Sequence, residues 1–206
     1  LKKSPRELGD NVKLKERVYA LSEEVEEGGS IDYFISHTWE DDAQEKRDKL
    51  NEFSNKFRAN RWDGEYPTFW LDKVCIDQNN SGKGIAVLPV NIAACDRLLV
   101  LMSNAYLKRL WCIWELYALF VFCRKEIAIS RLEVTYLGGS KNGDDNTAQT
   151  LRQQLSEFAE SDLDAHCFDP NEELKLRMIM NDVNESGTTT IQETMRIISN
   201  QLALNK

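Results

Sequence analysis

The 206-residue sequence is 42% hydrophobic and has a net charge of −8, a size and composition typical of one soluble globular domain with short appendages. It contains no apolar run long enough to cross a bilayer, and residues 1–18 contain no hydrophobic segment of the signal-peptide type. The acidic balance and the scattered Lys and Arg residues exclude general phosphate-backbone binding, so we expect neither nucleic acid nor a membrane as a partner.

The five cysteines are odd in number and lack CxxC spacing. This pattern favours neither a disulfide framework nor a zinc site. Reduced thiols are typical of the cytoplasm, where we place the protein. Because the sequence begins with Leu1 rather than Met, we expect it to be part of a longer protein with further domains.

The first predicted element is an N-terminal helix over residues 11–27. Apolar residues recur there at near-helical spacing, namely Val12, Leu14, Val18, Leu21 and Val25. Gly28 and Gly29 then predict a helix end and a flexible joint. Residues 1–29 are therefore predicted to be a helix and linker outside the main fold.

From residue 31 onward, predicted strands alternate with predicted helices. The strands are residues 31–36, 68–72, 97–103 and 131–137, and the helices between them are residues 43–60, 87–94 and 110–122. Such alternation requires crossover connections and indicates an α/β fold with a mainly parallel, doubly wound sheet of four to five strands. The last helix, LWCIWELYALFVF, is too apolar around its circumference to lie at the surface.

The C-terminal part, residues 138–206, is predicted to be a loop followed by a helical extension. GGSKNGDDNT, residues 138–147, is rich in turn-forming residues, and amphipathic helices follow at about 148–160, 171–181 and 190–203. Residues 182–193 fit the twelve-residue Ca²⁺-loop template. Because Thr189 replaces the usual aliphatic residue and no second loop pairs with it, we favour a helix–turn–helix and expect no metal site.

Ligands of open α/β sheets bind beyond the carboxyl ends of the strands. The predicted strand ends carry a set of polar and aromatic side chains: Ser36, His37, Trp39, Asp72, Lys73, Ser103 and Tyr106. In the helix that follows, Trp111 and Glu115 are four residues apart and share one face, with Cys112 beside them. We therefore predict that these residues line one crevice.

An aromatic side chain and a carboxylate on one wall suit a ribosyl-pyridinium ligand. The pyridinium ring can stack on Trp111, while Glu115 can hydrogen-bond the ribose hydroxyls and face the charge that develops at the anomeric carbon. One carboxylate suffices because nicotinamide leaves as a neutral molecule. An ordinary glycosidase needs a second acid to protonate its departing oxygen.

Two segments resemble the Toll/interleukin-1 receptor (TIR) domain family. IDYFISHTWEDD, residues 31–42, resembles its opening strand and loop, and SNAYLKRLWCIWEL, residues 103–116, resembles its serine-tyrosine-tryptophan-cysteine-glutamate-leucine segment. Between them, TFWLDKVCIDQNNSGKG lies where the family has its second strand and the BB loop used in self-association, although the usual central glycine is missing. The resemblance covers residues 30–137 and is closest to TIR-like domains of protists and bacteria.

This resemblance implies a flavodoxin-like fold and, in many members, cleavage of NAD to nicotinamide and ADP-ribose or cyclic products. Glu115 falls on the catalytic glutamate of the family. We predict a NAD-cleaving domain of a larger signalling or defence protein, with self-association through TIR-like surfaces, NAD as substrate and no other cofactor. The predicted substrate-binding residues are Trp111, Ser36, His37, Trp39, Asp72, Lys73, Ser103, Tyr106 and Cys112.

Structural interpretations of the same residues remain open. Glu115 can be a buried or half-buried acid paired with Arg109, Lys108 or Arg124. Trp111 can be a core residue, and Cys112 is best interpreted as a buried inert thiol. The rival functional class is a non-catalytic TIR interaction module that acts by homotypic assembly. A third class is another nucleoside- or nucleotide-glycosyl-transferring enzyme of flavodoxin-like fold.

Overall fold

The computed structural model describes residues 13, 16–26, 28–76, 84–138, 149, 153, 155, 157, 164–186 and 190–204. Four strands in this part of the chain form one sheet: β1 (Ile31–Ser36), β2 (Phe69–Trp70), β3 (Cys95–Met102) and β4 (Leu132–Tyr136). The helices are α1 (Ala43–Asn60), α2 (Asp72–Cys75), α3 (Gly84–Ala94), α4 (Leu110–Phe122), α5 (Lys125–Arg131), α6 (Pro170–Ser186) and α7 (Ile191–Leu204).

The sheet is parallel throughout and its strand order is β2-β1-β3-β4. Phe34 of β1 is in register with Trp70 on one side and with Leu98 on the other. The chain therefore passes from β1 to a neighbour on one side and then crosses to the other side. The expectation of an α/β protein with a parallel four-stranded sheet flanked by helices is confirmed.

Side chains of β1 alternate between the two faces of the sheet, as a pleated strand requires. Tyr33 and Ile35 pack against α1, whose contacts include Leu50 and Phe53. Phe34 stacks on Trp70 with ring centroids 4.4 Å apart, and both belong to the larger core on the opposite face. Ser36 follows Phe34 by two residues, so its hydroxyl lies on the same face as α4.

Helix α4 is the centre of the larger core. Most of its side chains are buried, and they pack with buried residues of α3, α6 and α7, including Leu88, Leu176, Met180, Met195 and Ile198. A helix that is apolar on all sides must be covered on all sides. The C-terminal helices supply part of that cover and share a core with the sheet.

Several elements differ from the sequence predictions. The N-terminal helix ends at Tyr19, and residues 20–26 are a turn and irregular chain rather than helix. Strand β2 ends at Trp70 and is followed by the short helix α2. Helix α5 was not predicted, and it is held by Arg131, whose guanidinium donates to the carbonyls of Ile92 and Cys95.

The position at which helix α6 ends is relevant to the Ca²⁺-loop template of residues 182–193. Helix α6 continues to Ser186, so the first, third and fifth positions of the template lie in a helix rather than in a loop. Among the residues described, no group of three or more His, Cys, Asp or Glu side chains is arranged to hold a metal ion. The extent of α6 favours the helix interpretation, while residues 187–189 lie outside the described residues.

Much of the BB-like segment, residues 77–83, and most of the predicted loop at 138–147 also lie outside the described residues. The predicted helix at 148–160 is described only at residues 149, 153, 155 and 157, which are helical. None of the helices in the described part of the chain has the length and apolar character needed to cross a membrane.

Candidate functional site

A cleft of about 260 Å³ opens at the carboxyl ends of β1 and β2. Three parts of the chain line it: the segments that follow the two strands, the first turns of α4 with Arg109, and the beginning of α6 with the residues before it. The lining residues are His37, Thr38, Trp39, Asp72, Ile76, Arg109, Trp111, Cys112, Glu115, Phe168, Asp169 and Glu172. This is the edge of the sheet where α/β proteins bind ligands.

Most of the side chains predicted from the sequence meet at this cleft. His37, Trp39, Asp72, Trp111, Cys112 and Glu115 line it. The other four do not. Ser36 and Tyr106 are fully buried behind the cleft wall, Ser103 is buried and accepts from the Ala105 amide, and Lys73 lies with its ammonium nitrogen 5.9 Å from the Trp39 ring centroid.

Glu115 lies at the inner end of the cleft and is only 5% exposed. The Ser36 hydroxyl donates to Glu115 Oε2, and the Tyr106 hydroxyl contacts the same Ser36 oxygen. Burial raises the Glu115 pKa well above the usual range, the charge of Asp72 raises it further, and the Ser36 hydrogen bond opposes both. These surroundings therefore favour the protonated form of Glu115 over a wider pH range than for an exposed glutamate.

The ion-pair interpretation of Glu115 is wrong. Among the described residues Glu115 takes part in no salt bridge, and Arg109 pairs instead with Glu40 at 3.4 Å. The Arg109 guanidinium also lies 3.5 Å from the Phe168 ring centroid. No cation among the described residues compensates a charge on Glu115, so its burial favours the protonated form.

The two tryptophans of α4 lie in different environments. Trp111 is half-buried on the cleft wall, and its indole N–H donates to Glu172 Oε2 at 3.4 Å. Trp114 is fully buried and packs edge-on against Tyr117, with ring centroids 6.2 Å apart. Of these two tryptophans, only Trp111 lines the cleft.

The Cys112 thiol is a wall residue without nucleophilic character. Burial raises its pKa well above the usual range, and its Sγ donates to the His37 carbonyl at 3.4 Å. All five cysteines are free thiols. Because the thiolate is the reactive form of cysteine, Cys112 serves to pack the wall.

The loop after β1 is held in place by short polar contacts. The Lys46 ammonium donates to the Thr38 carbonyl at 2.8 Å, and the Trp39 indole N–H donates to Asp72 Oδ2 at 3.0 Å. Burial lowers the pKa of His37, and the nearby Asp72 carboxylate offsets only part of that effect. His37 is therefore neutral at neutral pH and can accept or donate a hydrogen bond in the cleft.

The wall formed by the C-terminal extension was not predicted. The chain runs beside the start of α4, where the Leu110 amide donates to the His166 carbonyl at 3.1 Å and the His166 amide donates to the Lys108 carbonyl at 3.0 Å. These bonds bring Phe168, Asp169 and Glu172 to the cleft. The sequence indicated the amphipathic character of α6, but no local pattern indicated where it docks.

The charges of the cleft are asymmetric. Four of its lining residues are acidic, namely Asp72, Glu115, Asp169 and Glu172, whereas Arg109 is the single permanent cation among the described lining residues. A ligand with a cationic ring and an anionic group at some distance from it suits this distribution.

Comparisons with protein-family models, curated proteins and solved structures give no match for this chain.

Proposed function

We propose that this domain cleaves the nicotinamide–ribose bond of NAD in the cytoplasm, as a TIR-like part of a larger signalling or defence protein. The observation that carries the proposal is the position of Glu115, a buried carboxyl group at the inner end of a cleft whose wall also holds Trp111. Perturbed acids in clefts mark functional sites more often than acids elsewhere do. The strand order β2-β1-β3-β4 supports a flavodoxin-like sheet.

The charges suggest how NAD binds. Its pyridinium ring stacks on Trp111, its nicotinamide ribose lies against Glu115, and its diphosphate lies toward Arg109. The Arg109–Glu40 pair is long, at 3.4 Å, so a phosphate can replace Glu40 as the partner of the guanidinium. The cationic ring also changes the state of Glu115, because a nearby positive charge favours the carboxylate over the acid.

The reaction then needs only one carboxylate. The bond between the anomeric carbon and the pyridinium nitrogen breaks, its electron pair stays on the nitrogen, and neutral nicotinamide leaves. Glu115 stabilises the positive charge that develops on the ribose. A water oxygen bonds to the anomeric carbon and gives up one proton to Glu115 or to solvent; in a cyclising reaction an adenine nitrogen of the same molecule takes the place of water.

Nicotinamide release from NAD by the wild-type protein tests this proposal most directly, at protein concentrations where the state of assembly has been measured. Glu115→Gln keeps the size of the side chain and removes its charge. We expect release to fall by about two orders of magnitude or more, which is the scale of one preorganised electrostatic group. Undiminished release would falsify the catalytic role of Glu115.

The matched control is Glu126→Gln, which changes an exposed glutamate in the first turn of α5. It makes the same chemical change away from the cleft and should leave release unchanged. Melting temperatures of both variants show whether a loss of activity reflects unfolding. A wild-type protein without turnover would contradict the enzymatic proposal.

The second candidate is a non-catalytic TIR interaction module. The buried network of Ser36, Tyr106 and Glu115 favours it, because such a network can fix α4 against the sheet without any catalytic role. This candidate predicts concentration-dependent self-association without NAD turnover. Light scattering over a wide concentration range, combined with the turnover assay, separates the two candidates.

A further inference from the structure

We propose that Glu172, in the C-terminal extension, is a positioning residue that holds the Trp111 ring for a pyridinium cation, so that the extension completes the cleft within the same chain. This inference rests on the proposed function, which it deepens by assigning the recognition of substrate charge to α6. The contact that carries it is the hydrogen bond from the Trp111 indole N–H to Glu172 Oε2 at 3.4 Å.

The extension is fixed to the rest of the domain on both sides of this contact. Before it, the backbone of His166 pairs with residues 108 and 110 at the start of α4. After it, Leu176 and Met180 are buried in the core around α4. The Arg177 guanidinium also donates to the Ala165 carbonyl at 2.6 Å, which closes the turn into α6. Glu172 is therefore held at a defined place beside Trp111.

The bond affects the ring in two ways. An acceptor for the indole N–H restrains the rotation of the ring away from the cleft wall, which lowers the ordering cost of stacking a ligand on it. A carboxylate acceptor also polarises the indole and strengthens the attraction between the ring face and a cation. Both effects favour a pyridinium ring, and the second is absent for a neutral ring.

This charge preference suits the proposed reaction. The substrate ring is cationic, whereas nicotinamide is neutral once the bond to ribose breaks. A wall that attracts the cation holds the substrate more tightly than the leaving group. Glu172 would thus contribute to substrate binding and to product release without touching the reacting atoms.

The test uses binding, so that it does not depend on turnover. The probes are the N-methylnicotinamide cation and neutral nicotinamide, titrated into the intact chain by calorimetry. We expect the wild type to bind the cation more tightly than the neutral compound. Glu172→Gln, which removes the charge but keeps an acceptor oxygen, should weaken cation binding about three- to tenfold and leave nicotinamide binding unchanged.

Further variants separate positioning from simple stability. Trp111→Phe keeps an aromatic plate but removes the N–H, so Glu172→Gln should have a smaller effect in that background than in the wild type. In turnover assays Glu172→Gln should raise KM for NAD and leave kcat nearly unchanged. Glu126→Gln is again the control and should change neither quantity.

The outcomes distinguish this inference from the proposed function. A wild type that binds the cation selectively but does not cleave NAD would contradict only the proposed function. A wild type that cleaves NAD while Glu172→Gln binds both probes like the wild type would overturn only the role of Glu172. If Glu172→Gln lost affinity equally for both probes, that result would also overturn the role of Glu172. A side chain that only shapes the cleft does not distinguish a cationic ring from a neutral one.

Discussion

The two walls of the cleft are built in opposite ways. The inner wall, His37, Cys112 and Glu115, lies against the core, whereas the outer wall, Phe168, Asp169 and Glu172, is carried by a segment at the surface. Glu115 is 5% exposed and Phe168 is 66% exposed. The inner wall is therefore fixed by its own packing, whereas the exposed outer wall is held in place by backbone hydrogen bonds of His166 and by the buried part of α6 behind it.

Two glutamates illustrate the contrast. Burial raises the pKa of Glu115, whereas hydrogen bonds from the Cys167 amide, Arg177 and His166 lower the pKa of Glu173 to about 2. The surroundings thus disfavour the carboxylate form of Glu115 at the inner wall and favour the carboxylate form of Glu173 beside the outer wall. The contribution of Glu115 to stability should therefore change as pH rises above 4.5, and that of Glu173 as pH falls below 4.5.

The largest expected effect is the loss of packing behind the inner wall. Ile113 is fully buried on α4. Ile113→Ala should lower the free energy of unfolding by about 2–5 kcal/mol, the usual cost of truncating a buried aliphatic side chain. Urea denaturation measures the change. A cost below about 1 kcal/mol would show that α4 is less tightly packed than its burial indicates.

The next effect is a pH-dependent difference between the wild type and Glu115→Gln. A folded-state pKa above the unfolded value of 4.5 gives stability that is full below pH 4.5 and is lost as pH rises through the folded pKa. The loss has a limiting slope of about 1.4 kcal/mol per pH unit for one proton. Glutamine does not titrate, so the variant should become increasingly stable relative to the wild type as pH rises.

Thermal unfolding of both proteins at several pH values from 4 to 9 measures this gap, and groups common to the two proteins cancel in the difference. A gap that stays constant across the range would mean that folding does not raise the Glu115 pKa. If the variant instead becomes less stable relative to the wild type as pH rises, the Glu115 carboxylate has a stabilising partner in the folded protein.

A smaller effect of opposite direction is expected at the outer wall. Because the folded-state pKa of Glu173 is lowered to about 2, its contribution is full above the ordinary value of 4.5 and is lost as pH falls toward 2. Glu173→Gln should therefore be less stable than the wild type at pH 6, and the difference should shrink by pH 3. Hydrogen exchange of residues 164–172 measures the local stability. An exchange difference that is independent of pH would contradict the role of the carboxylate.

The inner wall could be predicted from the sequence because its residues follow local patterns. Strand β1 is a short apolar run, and Trp111 and Glu115 lie one helical turn apart. Parallel strands bring their carboxyl ends to one edge, so positions after β1 and β2 had to be neighbours. The same argument did not distinguish side chains at the cleft surface from those behind it. Ser36 lies on the face of β1 that points into the core, and Tyr106 is itself a core residue.

The outer wall could not be predicted because it depends on docking over a long sequence separation. His166 pairs with the chain at residues 108 and 110, more than fifty residues earlier. Amphipathic spacing identified α6 as a helix but gave only the face that it buries, not the surface on which it packs. The raised pKa of Glu115 was likewise hidden, because it depends on burial and on the absence of a cation among its described neighbours.

The smallest expected effect tests whether the outer wall contributes to stability at all. Phe168 is mainly exposed, and its clearest contact is the Arg109 guanidinium 3.5 Å from its ring centroid. Phe168→Ala should lower the free energy of unfolding by about 0.5–1 kcal/mol, the range for a cation–π contact at an exposed site. Phe122→Ala, at the exposed end of α4, is the matched control because Phe122 is 57% exposed. Urea denaturation of both variants gives the difference between them. If Phe168→Ala costs no more than Phe122→Ala, the contact with Arg109 adds nothing. If it costs as much as Ile113→Ala, the outer wall is part of the core and the contrast between the two walls fails.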